Sequence, residues 1–131
     1  MGAAFQQPER RQYLRVSPAM GNPVSVQFNW ENVTITSKHV RDVSLGGLAF
    51  AIPSDITRPA PGAIINEINL GIPSQGQIKV QGKVARYDVS SNRSTSICAI
   101  QFIRVPTGAE RRLFQYINQR QREIRWFTKE S

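Results

Sequence analysis

Arg41-Asp42-Val43-Ser44-Leu45-Gly46-Gly47-Leu48-Ala49-Phe50 reads as a strand, a tight turn and a strand again. Val40 and Val43 before the turn, and Leu48 and Phe50 after it, supply apolar surface on either side. Gly46 and Gly47 are expected to provide the positive φ angles that a tight turn needs. Asp42 and Ser44 alternate with Val43, so on an extended backbone their side chains share one face. That face offers a carboxylate, a hydroxyl and the amides of the turn.

Outward from this stretch the strand period recurs. Val24, Val26 and Phe28 alternate with Ser25, Gln27 and Asn29, and Trp30-Glu31-Asn32 reads as a hairpin loop. Val33 to Val43, rich in Val, Ile and Thr, predicts one long strand. Leu48 to Ile52 follows the glycine turn, and the prolines between Pro53 and Gly62 impose a loop. Ala63 to Ile72 predicts a strand with Ile64, Asn66, Ile68 and Leu70 on one face. After Pro73-Ser74-Gln75-Gly76, Ile78, Val80, Gly82 and Val84 alternate with Lys79, Gln81 and Lys83. The polar loop Ser90 to Ser94 precedes a last strand, Ser96 to Val105.

From Ala109 the period becomes helical. Leu113, Ile117 and Ile124 fall near one side with Phe114 beside them, and Arg111, Arg112, Gln115, Gln119, Arg122 and Glu123 fall on the other. About six strands followed by one helix predict an all-β fold, a six-stranded antiparallel β-barrel with a C-terminal α-helix against it. The expected division is a loose arm or linker over 1–9, a barrel over 10–108 and a helix over 109–127.

At 131 residues the chain is one domain by size, and 40% hydrophobic with 20% charged residues is enough for a packed core. Seventeen basic against nine acidic residues give a net charge of +8, which favours an anionic partner. Cys98 is alone, so no internal disulfide forms, and its neighbours Ile97, Ala99 and Ile100 place it in a buried strand. A single thiol agrees with a reducing, cytoplasmic setting. No apolar run approaches the roughly 20 residues of a membrane span, and Met1 to Gln6 lacks the regions of a signal peptide. His39 has no His, Cys or carboxylate company suited to a metal. No acid, base and nucleophile set is present, so an enzyme is the least expected class.

The second informative stretch is Glu9-Arg10-Arg11-Gln12-Tyr13-Leu14-Arg15. A guanidinium offers a planar fork that grips phosphate, or guanine at O6 and N7, with two bonds, and it can stack on a purine. Taken alone, the same arginines also fit a solvated basic segment. A carboxylate at Asp42 suits guanine N1–H and N2, and Ser44 with the turn amides suits ribose or phosphate oxygens. Alone, Asp42 also fits a side-chain cap of the hairpin.

Together, Arg11-Gln12-Tyr13-Leu14-Arg15 and Asp42-Val43-Ser44-Leu45-Gly46-Gly47 resemble the bipartite signature of PilZ domains, which bind cyclic di-GMP. The resemblance runs from about Pro8 to the end of the helix. It implies a barrel with the arginine segment across its mouth and cyclic di-GMP as ligand, with no cofactor. By carry-over, Arg11 and Arg15 would hold phosphate and guanine, and Asp42 a guanine edge. Ser44, Gly46 and Gly47 would line the turn. Arg10, just ahead of the motif, would meet a second guanine, as in relatives that bind an intercalated dimer. Arg86 is a weaker candidate, because relatives often place an aromatic or an arginine there. Ala99 stands where relatives often carry Gly, a departure bearing on backbone packing rather than on the ligand site.

Ala109 to Glu123 is similar to the C-terminal helix of flagellar brakes of the YcgR type, which implies a bacterial receptor acting on motility or biofilm formation, with the flagellar motor as a protein partner. One rival class is a PilZ scaffold acting by protein contact alone. Another is a single-stranded nucleic-acid barrel, disfavoured because no aromatic stripe alternates along the strands.

Overall fold

The computed structural model describes residues 14–90 and 93–130, with side chains as far as Arg125. The alternating segments form seven strands: β1 (Ser25–Trp30), β2 (Val33–Ser37), β3 (Val40–Ser44), β4 (Gly47–Pro53), β5 (Ile64–Ile72), β6 (Gly76–Val89) and β7 (Thr95–Arg104). The helix α1 (Thr107–Glu130) follows. All pairings are antiparallel, in the order β2-β1-β5-β6-β7-β4-β3.

The count is seven rather than six because the run from Val33 to Val43 breaks at Lys38-His39. Buried Ser37 causes the break. Its hydroxyl donates to the Ala51 carbonyl at 2.7 Å and accepts from the His39 amide at 3.1 Å, while the His39 carbonyl accepts from the Ala51 amide at 3.0 Å. This local side-chain bond replaces ladder pairing and bends the chain. The break closes the fold. β2 and β3 lie at opposite margins of the sheet order, about 29 Å apart if the sheet were flat. The Lys38-His39 link can reach only about 11 Å, so the sheet must curl until its margins meet.

The alternation read for β6 holds, with Ile78, Val80, Gly82 and Val84 buried. For β5 it holds only in part. A register shift between Ile65 and Ile68 sends Ile65, Ile68, Leu70 and Ile72 inward and leaves Ile64 and Asn66 exposed. The core is completed by Val26, Phe28, Leu48, Phe50 and Ile52, with the Phe28 and Phe50 rings edge to face at 6.4 Å. Cys98 lies in this core, and burial pushes its thiol up to about 11.

The helix begins at Thr107, two residues before the change of period at Ala109, and the Pro106 carbonyl accepts its first-turn bond from the Glu110 amide at 2.8 Å. Its buried stripe is Ala109, Leu113, Tyr116 and Ile117. Phe114 and Ile124 are exposed, contrary to the apolar face expected for them. A helix of 24 residues spans about 36 Å. The polar face also takes part in docking. Arg112 Nη1 donates to the Gln75 and Gln77 carbonyls, each at 3.3 Å, and Arg120 Nε donates to the Ser17 carbonyl at 2.7 Å. Among the described residues no helix is long and apolar enough to cross a membrane.

Candidate ligand site on the β3–β4 hairpin

β3 is a sheet margin, so one side of its backbone is open to a further partner. Val16 takes it: the Val16 amide donates to the Val43 carbonyl at 3.0 Å, and the Val43 amide to the Val16 carbonyl at 2.9 Å. This bridge fixes Arg15 beside the hairpin. Arg15 Nη1 then donates to Asp42 Oδ1 at 2.9 Å, so a cation from the first motif and the anion of the second form an ion pair.

The opposite oxygen, Asp42 Oδ2, accepts from Arg41 Nε at 3.0 Å. Neighbouring strand residues normally point to opposite faces. Here Val40 pairs with Phe50 and Asp42 with Ala49, so Arg41 is an inserted residue. The bulge turns its side chain toward the same side as Asp42.

The turn is shaped by Ser44, whose buried hydroxyl accepts from the Gly46 amide at 3.1 Å and donates to the Gly47 carbonyl at 3.4 Å. The Gly46 carbonyl accepts from the Phe102 amide at 2.8 Å, which ties the turn to β7. The expectation of positive φ at Gly46 and Gly47 fails, since among the described residues the glycines with that conformation are Gly21, Gly62 and Gly76. Gly47 is required for closeness instead: a Cβ there would strike the Ile100 carbonyl oxygen.

A row runs across four strands from this hairpin. Asp42 is opposite Ala49, Ala49 opposite Ala99, and Ala99 opposite Arg86, with a second register shift between Val84 and Arg86. Small residues thus floor a cavity of about 540 Å³ with arginines at both ends. Arg86 at the far end is held by Asp88, Nε to Oδ2, at 3.2 Å. The volume falls within the roughly 300–1,000 Å³ of small-molecule sites.

Of the residues singled out from sequence, Arg15, Ser44, Gly46, Gly47 and Arg86 line this one cavity. Asp42 sits behind the guanidiniums of Arg15 and Arg41, with 17% of its side chain exposed. Arg10 and Arg11 lie outside the described residues. The sequence reading missed Arg41 and Gln101, and it assigned Ala99 to backbone packing, whereas Ala99 lines the cavity. Alternation along β7 could have placed Ala99 and Gln101 together on the outer face; the bulge at Arg41 leaves no such trace. Among the described residues no cluster of His, Cys, Asp or Glu could hold a metal ion.

Comparison with solved structures places this geometry in context. The chain is similar to the PilZ domain of YcgR from Escherichia coli, solved with c-di-GMP, at 22% identity and a TM-score of 0.67, covering 94% of this chain and 100% of that one. It is similar to the Bacillus subtilis inhibitor of motility MotI/DgrA at 21% identity and a TM-score of 0.70, covering 90% of this chain and 54% of that one. The K. pneumonia MrkH–c-di-GMP complex matches at 16% identity and a TM-score of 0.74, covering 94% of this chain and 56% of that one. The chain therefore spans the whole of the isolated domain but about half of MotI and MrkH. At these identities the likeness speaks for the fold. No curated protein matches the sequence. The family model described as the PilZ domain, however, matches residues 9–119, and with the curled antiparallel sheet and C-terminal helix this shows that the chain belongs to the PilZ family.

Proposed function

We propose that this chain is a receptor domain for cyclic di-GMP that performs no chemistry on its ligand. One observation carries the reading. Arg15 of the first motif and Ser44, Gly46 and Gly47 of the second, far apart in sequence, line the same cavity. The cavity suits the ligand chemically. Its floor of Ala49 and Ala99 leaves room for a flat base, and its arginines oppose the two phosphate charges. Relatives of the same fold were solved with c-di-GMP.

In this reading Arg11 and Arg15 grip phosphate and guanine O6/N7, and Arg10 meets a second guanine, giving an intercalated dimer in the site. Arg15 leaves Asp42 Oδ1 as it turns to the ligand, and that oxygen then accepts from the guanine N1–H or N2 edge. Ser44, Gly46 and Gly47 hold the turn in shape, and Arg86 forms the far wall. The arm over 1–9, the barrel over 10–108 and the helix over 109–127 act as one unit. Arm, ligand and barrel together make a surface for a protein partner in control of motility or biofilm formation, such as the flagellar motor, in the bacterial cytoplasm. An inhibitor of motility and a transcription regulatory factor share the fold, which supports a regulatory output.

Titration calorimetry tests the reading. The wild-type chain should bind cyclic di-GMP at two molecules per site, and excess RNA or DNA should not displace it. Arg11→Ala and Arg15→Ala should each abolish binding. Unchanged affinity in both variants rejects the site.

A further inference from the structure

We infer that Arg41 is an additional ligand-binding residue, which together with Arg15 clamps a phosphate of the ligand. The inference rests on the cyclic di-GMP reading and adds a residue outside the two motifs. Regular alternation would turn Arg41 away from Asp42, and the bulge between Val40 and Asp42 brings it to the cavity. A bulge costs ladder pairing at the sheet margin, and here its product is a second guanidinium at one lip of the cavity.

The electrostatics are uneven in the direction an anion needs. Asp42 carries one negative charge and two guanidiniums share it, one on each oxygen. Arg15 alone would balance that charge, so Arg41 leaves a surplus positive charge at the lip. Its side chain is 51% exposed, which keeps it within reach of a ligand. Of its five N–H donors, the Nε–H is spent on Asp42, and the terminal nitrogens have no partner among the described residues. The bond to Asp42 also holds the guanidinium in place before the ligand arrives, which lowers the entropy lost on binding. At the other end of the cavity, Arg86 has an anion to itself in Asp88 and no such surplus.

The test is calorimetry of the full chain with cyclic di-GMP, repeated at several salt concentrations. Arg41→Ala should weaken binding about tenfold or more, the loss of a charge-assisted contact. The dependence of log K on log salt should become shallower, because one ion contact is gone. Arg41→Lys should keep the salt dependence while recovering only part of the affinity, since it retains the charge without the fork. Should Arg41→Ala fail to melt cooperatively, Arg41→Gln carries the same expectation. Affinity within about twofold of wild type, or tighter binding, overturns the inference; tighter binding would make Arg41 a competitor for Asp42. If Arg15→Ala abolishes binding and Arg41→Ala does not, this inference alone falls. If the wild type does not bind, the receptor reading falls with it.

Discussion

Two hairpins of this sheet turn by different physics. Between β1 and β2, Glu31 and Asn32 both adopt left-handed φ, 46° and 67°, and the twist of the strands does the rest. Between β3 and β4 neither glycine has positive φ, and the turn is held by the Ser44 hydroxyl and by the bond from the Phe102 amide to the Gly46 carbonyl. The first turn depends on its own backbone and borders none of the cavity. The second is shaped by a side chain and a neighbouring strand, and it carries the candidate site. A turn fixed from outside keeps its amides and its lip in place whether or not a ligand is present.

The contrast can be broken hardest at Gly47. In Gly47→Val the added carbons meet the Ile100 backbone, which cannot give way as a flexible side chain would. A loss of about 3 kcal/mol or more is expected in denaturant unfolding, with loss of ligand binding. Ser44→Ala should cost less, roughly 1–2 kcal/mol, because the hydroxyl's bonds to the Gly46 amide and the Gly47 carbonyl disappear. Its ligand affinity should fall as well, since the turn loosens. The other hairpin provides the control. Replacing Glu31-Asn32 with Asn-Gly suits the left-handed pair and should raise stability by at most about 1 kcal/mol, leaving ligand affinity untouched. At Cys98 the expected effect is nil. Burial holds the thiol up at about 11, so at pH 8 it stays protonated and should resist alkylation until the chain is unfolded. Labelling of the folded protein at that pH would show that the inner face behind the cavity opens.

Much of this was legible because it depends on local pattern. Alternation located β1 and β6, apolar runs bounded by turn residues located β4 and β7, and of the paired motifs Arg15, Ser44, Gly46 and Gly47 line one cavity. What escaped depends on partners distant in sequence. The break at Lys38-His39 needs the Ala51 backbone on another strand. The bulges at Arg41 and in β5 exist only relative to the strands they face. Gly47 was singled out for a positive φ it does not have: its need is room beside Ile100, which no local rule records. On the helix, Tyr116 is buried and Ile124 is exposed, an exchange that the helical period alone does not reveal.

Past Arg15 the chain is fastened twice in succession, by the Val16–Val43 bridge and by Arg120 on the Ser17 carbonyl. Those two fastenings set a pivot. Val16 and Ser17 thus form a base that belongs jointly to the sheet and the helix. A change in where the helix rests would move that base, and with it the Arg15 guanidinium at the edge of the cavity.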